Sequence, residues 1–340
     1  MNITVLGAGA WGTALAVHFA VHGHRTALWT RNPEHAAQMR LHRENRRYLP
    51  DVALPAQLSP HSELADALRG CELLLAVVPV AALRGCMEAV RGAGGAGIPV
   101  LAACKGFEPQ SGLLPFQVLA QVLPDNGKTG VLSGPSFAQE LARQLPCAVC
   151  LAGNDAAWIR ALSAELNTAV MRLYANEDVV GVCVGGAVKN VMAIAAGLSD
   201  GLGLGMNARA ALMTRGLAEM NRLAVAMGAQ ETTMMGLSGM GDLLLTCTGA
   251  LSRNRQVGLA LAQGQTLPQA LAALRHVAEG VPAVAEVCRA ARHYRIDMPV
   301  SQALFDLFEG RTAAADIAAR LMRREPTGEH TRAPAQISEK

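Results

Sequence analysis

Near the start of the chain, residues 3–12 read Ile3-Thr4-Val5-Leu6-Gly7-Ala8-Gly9-Ala10-Trp11-Gly12. The apolar run predicts a buried strand, and the segment that follows, Trp11–His22, has the spacing of a helix. Between strand and helix, the first glycine of a G-x-G-x-x-G turn makes a tight bend, the second admits a pyrophosphate, and the third lets strand and helix pack closely. The helix N-terminus adds amide donors and a positive dipole end. The turn therefore predicts a dinucleotide site, and a glycine-rich turn without a ligand is the alternative.

The end of the second predicted strand bears on which dinucleotide is bound. An NAD-specific site would place a carboxylate near residue 30 to bind the ribose. Here the chain reads Thr30-Arg31-Asn32, and Glu34 already lies inside the next predicted helix. Arg31 suits a 2′-phosphate, which favours NADPH and leaves NADH possible. The alternative is that Arg31 is solvated or stacks on the adenine.

Farther along the chain, short apolar runs alternate with helical patterns up to about residue 178. Strands are predicted at Ile3–Leu6, Thr26–Trp29, Leu73–Val78, Val100–Cys104, Val131–Ser133 and Ala148–Leu151. Helices are predicted at Trp11–His22, at Pro33–Arg46 and after an N-cap at Ser62. This alternation predicts an α/β domain over residues 1–178, Rossmann-like, with a mostly parallel sheet covered by helices on both faces.

From Val179 the pattern becomes helical throughout. The predicted helices are Val179–Leu198, Ala208–Met227, Arg253–Gln263, Leu267–Leu274, Ala283–Tyr294, Val300–Glu309 and Ala313–Met322. They predict an all-α second domain over residues 179–325. Residues 326–340 are polar and without a period, which predicts a disordered tail.

Composition excludes several classes of protein. The chain has 340 residues, a net charge of +3, 51% hydrophobic and 17% charged residues, which excludes a disordered chain. Its dispersed charge and 4% aromatic residues give nucleic-acid binding little support. The N-terminus lacks the basic region of a signal peptide, and the longest strongly apolar run, Leu73–Leu83, is too short to cross a bilayer. We expect a soluble cytoplasmic protein with no integral membrane segment.

The eight cysteines are scattered, and only Cys147 and Cys150 form a C-x-x-C pair. No second pair or histidine cluster completes a zinc set, so no metal site is predicted. We interpret the pair as buried free thiols of a strand, with redox or metal use as the alternative.

Lysine is rare in this sequence: of 30 basic residues only Lys105, Lys128, Lys189 and Lys340 are lysines. An ammonium can donate its proton, whereas arginine holds its proton too tightly. Lys189 interrupts an apolar helical stretch, where burial would lower its pKa toward a useful range. It is the best candidate for a general acid and base, unless its side chain extends out of the helix to solvent. Lys105 follows a predicted strand and could hold substrate oxygens.

Two further polar segments stand out in the second half of the chain. Ser252 would cap a helix whose free amides, together with the Arg253 guanidinium, suit a phosphate; an ordinary exposed arginine is the alternative. Asp242, after Gly239 and Gly241, could bind the Lys189 ammonium or a substrate hydroxyl, or simply cap a turn.

Over residues 1–325 the sequence resembles the bacterial NAD(P)-dependent glycerol-3-phosphate dehydrogenases. The blocks that carry the resemblance are residues 7–12, 104–106, 133–141, 185–197, 199–201, 207–209, 214–220, 239–248, 252–255 and 277–280. The resemblance implies reduction of dihydroxyacetone phosphate to sn-glycerol 3-phosphate, the backbone of phospholipids, by a homodimeric enzyme.

The resemblance also implies roles for individual residues. Lys189 matches the catalytic lysine, and Lys105 matches a lysine that contacts cofactor and substrate. The implied substrate-binding residues are Lys105, Gly134, Ser136, Ser252, Arg253 and Asn254, to which the residues themselves add Asp242. For the cofactor, the resemblance implies binding by Lys105, Ala138, Arg253, Val277 and Glu279. The glycine turn and the end of the second strand add Gly7, Gly9, Ala10, Trp11, Gly12 and Arg31. The pair Arg31-Asn32 departs from the residues that more usually read the cofactor in the family, which affects the cofactor preference and not the reaction. Asn207 and Arg215 lie in matching blocks without an assigned role.

Two other functions remain open on the sequence. A related two-domain β-hydroxyacid or sugar-acid dehydrogenase would keep the architecture, but the predicted phosphate site argues against substrates without a phosphate. A non-catalytic NADPH sensor would have a broken catalytic set, and nothing in this set is broken.

Overall fold

The fold is taken from a computed structural model, which describes residues 1–274 and 278–317. Val277, the end of the helix predicted at Ala313–Met322, and the tail predicted at residues 326–340 lie outside the described residues.

An eight-stranded sheet, mostly parallel, forms the first half of the chain. The described residues contain ten strands, eight of which form this sheet. They are β1 (Asn2–Leu6), β2 (Arg25–Trp29), β3 (Glu44–Asn45), β4 (Leu49–Ala53), β5 (Leu58–His61), β6 (Leu73–Ala76), β7 (Val100–Ala102), β8 (Thr129–Ser133), β9 (Cys147–Gly153) and β10 (Met171–Asn176). The order in the sheet is β10-β9-β8-β7-β6-β1-β2-β5, and β3 and β4 form a separate hairpin. Neighbours pair in parallel except β8 and β9, so β9 and β10 run opposite to the others.

Fourteen α-helices lie within the described residues. Those of the first half are α1 (Ala10–Val21), α2 (Pro33–His42), α3 (Leu64–Leu68), α4 (Val80–Gly92), α5 (Pro115–Val122), α6 (Ala138–Ala142) and α7 (Ala156–Leu166). The rest are α8 (Val179–Gly201), α9 (Gly205–Ala226), α10 (Asp242–Thr248), α11 (Arg253–Ala262), α12 (Leu267–Ala273), α13 (Gly280–His293) and α14 (Pro299–Phe308). A 3₁₀ turn (Glu231–Met235) and a π turn (Leu237–Gly241) precede α10. The predicted fold class, a Rossmann-like α/β sheet followed by helices, is confirmed.

Two apolar cores cover the two faces of the sheet, because alternate side chains of a strand point to opposite sides. On β6, Leu73 and Leu75 belong to one core, whereas Leu74 and Ala76 belong to the other. The second core continues into the helices around α8. By length and composition α8 could cross a membrane, but 89% of its 18-residue apolar stretch is buried inside the protein. It is therefore the central helix of the second half.

The structure corrects three local predictions. The helix predicted at Pro33–Arg46 ends at His42, because Arg43 takes a left-handed conformation (φ 51°) and β3 follows. The N-cap of α3 is Glu63 rather than Ser62. The strands β3, β4, β5 and β10 were not predicted; β5 and β10 are the edges of the sheet, and their exposed positions interrupt any apolar run.

Both cysteines of the C-x-x-C pair lie on β9. Three positions apart on a strand, they face opposite sides of the sheet. Burial raises the pKa of Cys147 to about 11 and also raises that of Cys150, so both thiols are protonated at neutral pH.

Candidate active site

The glycine-rich turn lies where β1 ends and α1 begins. Gly7 has a φ of 113°, and a Cβ there would lie 2.6 Å from the Val77 carbonyl oxygen. A Cβ on Gly12 would lie 1.9 Å from the Gly7 carbonyl oxygen, so strand and helix meet closely. Gly9 differs, because no atom of residues 1–274 or 278–317 lies within 4 Å of a Cβ placed on it. The first and third glycines are thus required by packing, whereas the second borders open space that a phosphate group can enter.

Four other strands end at the same edge of the sheet, and site residues follow three of them. β2, β6, β7 and β8 run parallel to β1, so their carboxyl ends lie beside the glycine turn. Arg31 follows β2 and is exposed, Lys105 follows β7, and Gly134 follows β8. In open α/β sheets this is the edge at which ligands bind.

Lys105 and Lys189 converge on one carboxylate. Lys189 Nζ donates to Asp242 Oδ1 at 2.5 Å, and Lys105 Nζ donates to Asp242 Oδ2 at 2.6 Å. Asp242 is fully buried, and the Lys189 side chain is 9% exposed. Of the roles left open for Asp242, the structure has the hydrogen bond to Lys189, and the Lys189 side chain does not extend to solvent.

A threonine that the sequence analysis missed completes this cluster. Lys189 Nζ donates to Thr246 Oγ1 at 3.0 Å, and Thr246 Oγ1 donates to the Asp242 carbonyl oxygen at 2.6 Å. Because the hydroxyl proton is used on the carbonyl, the hydroxyl faces Lys189 with a lone pair. The spacing of Asp242 and Thr246, four residues apart at the start of a helix, was the only available signal.

Burial lowers the pKa of Lys189 to about 8, with Asp242 acting to raise it and Lys105 to lower it further. Two ammonium groups and one carboxylate leave the cluster with a net positive charge. The pKa of Lys189 therefore lies close to neutral pH, where the side chain can both donate and accept a proton, as a general acid and base requires.

Lys105 also contacts the turn after β8. Its Nζ donates to the Gly134 carbonyl oxygen at 3.0 Å, and Ser136 Oγ donates to the same oxygen at 3.1 Å. Gly134 is buried and Ser136 is half-buried. Ala138 begins α6, which packs against α1. The turn after β8 therefore connects the lysine cluster to α6, which packs against the helix that begins at the glycine turn.

The first turn of α11 lies close to Lys189. Ser252 Oγ accepts from the Arg255 amide at 3.3 Å, which makes Ser252 the N-cap as predicted. Asn254 Nδ2 donates to the side chain of Asn190, the residue after Lys189, at 2.9 Å. Arg253, which lies between the buried Ser252 and Asn254, is exposed.

Glu279 lies just before α13 and is held to the same turn. Asn254 Oδ1 accepts from the Gly280 amide at 2.9 Å. Burial raises the pKa of the half-buried Glu279 carboxyl, and the charges of Arg253, Lys105 and Lys189 act to lower it. The Glu279 carboxyl therefore interacts electrostatically with all three of these basic side chains. Asn207 and Arg215 are exposed on α9.

A glycine turn at the edge of a parallel sheet and a buried lysine from a following helical region are typical of NAD(P)-dependent dehydrogenases. Comparisons with known proteins narrow this class. The family model for the N-terminus of NAD-dependent glycerol-3-phosphate dehydrogenase matches residues 2–159, and the model for its C-terminus matches residues 178–319.

Individual relatives agree with the family models. A glycerol-3-phosphate dehydrogenase (NAD(P)+) from Neisseria meningitidis serogroup B is 60% identical over 95% of this chain and 98% of its own. One from Dechloromonas aromatica is 53% identical over 97% and 99%. The crystal structure of the glycerol-3-phosphate dehydrogenase of Coxiella burnetii is 38% identical, covers 95% and 99%, and has a TM-score of 0.90. The chain belongs to the NAD-dependent glycerol-3-phosphate dehydrogenase family.

Proposed function

We propose that the protein reduces dihydroxyacetone phosphate to sn-glycerol 3-phosphate, with NADPH as the preferred reductant and NADH as a possible one. The observation that carries the proposal is the buried cluster of Lys189, Asp242 and Lys105 at the sheet edge that also holds the glycine turn. The names of the relatives support the same reaction.

In this proposal Lys189 supplies the proton. Its ammonium has three N–H groups, and Asp242 and Thr246 accept two of them within the described part of the chain. The third is available for a substrate oxygen. The dinucleotide supplies the hydride when bound, and the carbonyl oxygen then gains negative charge. Lys189 donates a proton to that oxygen, and in the reverse direction the neutral amine takes it back.

Lys105 has the complementary role of holding the substrate and stabilising charge. Gly134 and Asp242 accept two of its three N–H groups, and no other described residue accepts the third, which leaves it for the substrate. Its positive charge, fixed before the reaction, stabilises a developing oxyanion. Gly134 and Ser136 would line the pocket on this side, and Asp242 keeps both ammonium groups in place.

The substrate phosphate would bind at the start of α11. The first amides of a ten-residue helix, the Ser252 hydroxyl and the exposed Arg253 guanidinium form a set of donors for a dianion. Within the described part of the chain, Asn254 keeps one N–H beyond its bond to Asn190. Because Asn190 follows Lys189 directly, this bond sets the distance between the phosphate end and the reacting end of the substrate.

The dinucleotide would occupy the edge from β2 to α13. The open space at Gly9 fits a pyrophosphate, and Gly7, Ala10, Trp11 and Gly12 complete the turn. Ala138, Lys105, Arg253 and Glu279 would approach it from the other side, and Val277, in the same role, lies outside the described residues. Arg31 is proposed to bind the 2′-phosphate of NADPH.

We further propose that residues 1–178 form the dinucleotide-binding domain and residues 179–325 the catalytic domain of a cytoplasmic homodimer. Its product would supply the glycerol backbone of phospholipids. Size-exclusion chromatography with light scattering tests the dimer, for which a monomer at micromolar concentration would be evidence against.

The deciding experiment follows the nicotinamide absorbance band with dihydroxyacetone phosphate and each cofactor. We expect oxidation of NADPH that depends on this substrate, with a higher kcat/KM for NADPH than for NADH. Dihydroxyacetone without the phosphate is the matched control and should be turned over far more slowly. Lys189→Ala should abolish turnover while NADPH still binds; substantial remaining activity would remove Lys189 from its role. Equal or better use of NADH would remove Arg31 from its role.

A further inference from the structure

Asn45, in the β3–β4 hairpin, uses its entire hydrogen-bonding capacity on three separate segments. It is 1% exposed. Its Nδ2 donates to the Ala8 carbonyl oxygen at 3.0 Å and to Thr13 Oγ1 at 2.7 Å. Its Oδ1 accepts from His35 Nε2 at 2.9 Å and from the Tyr48 amide at 3.3 Å. A side-chain amide has two donor hydrogens and two acceptor lone pairs, so none is left over.

The bond to Ala8 fixes a peptide group in the glycine turn. The Ala8 carbonyl and the Gly9 N–H belong to one planar trans peptide, so they point in opposite directions. Holding the carbonyl toward Asn45 therefore directs the Gly9 N–H away from the hairpin. Among the described residues, none lies within 4 Å of a Cβ placed on Gly9, so their side chains do not pack against this peptide. The bond to Thr13, in the first turn of α1, ties the helix N-terminus to the same amide.

We propose that Asn45 is a positioning residue for the dinucleotide, which sets the orientation of the Gly9 N–H before the phosphates arrive. The inference rests on the proposed binding of NAD(P) at the glycine turn. Donors that are already oriented bind an anion more tightly, since the anion does not have to order them. Without Asn45, the Ala8–Gly9 peptide can rotate, because glycine has few conformational restrictions.

Asn126 provides a matched control. It is 7% exposed, and its Nδ2 donates to the carbonyl oxygens of Ala96 and Ile98 at 2.8 and 2.7 Å. Its Oδ1 accepts from the Lys128 amide at 3.0 Å. These loops precede β7 and β8, so Asn126 makes the same kind of bonds at the amino ends of the strands, away from the glycine turn.

The experiment is a fluorescence titration of the whole protein with NADPH, without substrate. We expect Asn45→Ala to raise the Kd for NADPH about tenfold, while Asn126→Ala leaves it within about twofold of the wild type. The KM for dihydroxyacetone phosphate at saturating NADPH should stay unchanged in both. An unchanged Kd in Asn45→Ala, or an equal rise in both variants, would overturn the proposal.

A second variant covers the case in which Asn45→Ala does not fold. Thr13→Val keeps the volume of the side chain and removes one of the two acceptors of Asn45, so the Kd should rise in the same direction by about threefold. An unchanged Kd would count against the proposal. If the wild-type protein itself shows no saturable binding of NADPH, the proposed function fails, which is a different outcome from a variant that binds as well as the wild type.

Discussion

Replacing Asp242 by asparagine should move the pH dependence of the reaction. In the native protein the pKa of Lys189 is about 8, lowered by burial and by Lys105 and raised by Asp242. The carboxylate lies 2.5 Å from the ammonium, and Asp242→Asn removes its charge with little change in shape. An opposite charge at such a distance raises the pKa of a lysine by about 1–3 units. Since the opposing influences remain, the pKa of Lys189 should fall from about 8 to roughly 6.

The shift has a measurable consequence for reduction, which requires the ammonium form. At pH 7.5 a pKa of about 8 leaves roughly three quarters of Lys189 protonated, and a pKa of about 6 leaves about 3%. The value of kcat/KM for dihydroxyacetone phosphate should therefore fall about 25-fold at that pH and recover toward pH 6. Oxidation of glycerol 3-phosphate requires the amine, so its pH profile should shift in the same direction.

The assay is kcat/KM for dihydroxyacetone phosphate between about pH 6 and 9.5. Asp178→Asn is the matched control: Asp178 is also buried, but it accepts from the Gly181 and Gln230 amides and from Thr233 Oγ1 rather than from a cation. That variant should lose thermal stability and keep its midpoint near the wild-type value. If the midpoint of Asp242→Asn coincides with that of the wild type, Asp242 does not set the proton affinity of Lys189.

Four substitutions test three other parts of the structure. Gly9→Val should weaken NADPH binding and leave the melting temperature nearly unchanged, because its Cβ enters open space; Gly12→Ala should lower the melting temperature, because its Cβ meets the Gly7 carbonyl oxygen. Equal stability losses would contradict this distinction. Arg253→Ala should raise the KM for dihydroxyacetone phosphate about tenfold or more, since charged hydrogen bonds contribute about 1.5–3 kcal/mol, and an unchanged KM would place the phosphate elsewhere. Burial raises the pKa of the Glu219 carboxyl to about 7, so the native state binds the carboxyl proton more tightly than the unfolded state does. The free energy of unfolding should therefore fall as the pH rises from about 4.5 through 7. Urea denaturation should show a flatter pH dependence for Glu219→Gln, and an unchanged slope would refute the assignment.

The strands and the glycine turn could be predicted because central parallel strands are buried on both faces. Residues such as Leu73–Ala76 and Val100–Ala102 therefore form continuous apolar runs. Edge strands have no such signal: β10 alternates buried and exposed residues over Met171–Asn176, and β5 contains Pro60. The hairpin of β3 and β4 was hidden because the helical pattern from Pro33 continues through Arg43, whose left-handed conformation ends the helix.

The same hairpin explains why Asn45 could not be identified from the sequence. Lys189 and Asp242 were predictable, since a charge in an apolar helix needs a partner. Asn45 was not, because its function depends on contacts with Ala8 and Thr13, more than 30 positions earlier in the chain. Such contacts arise only once the hairpin has folded against the glycine turn, and nothing in the residues around Asn45 indicates them.

The two lysines at the site cannot be exchanged for the arginines that the chain uses almost everywhere else. A guanidinium would keep its proton at every working pH, so at position 189 it could bind the substrate oxygen but not transfer a proton. At position 105 space is a second constraint. A Cβ on Gly186 would lie 3.3 Å from Lys105 Cγ and 3.0 Å from Ser133 Oγ, so α8 packs directly on the lysine stem. The planar guanidinium needs more room than an ammonium, and its fork would compete with Lys189 for Asp242. Packing therefore favours lysine at position 105, and the proton transfer proposed for position 189 requires it there.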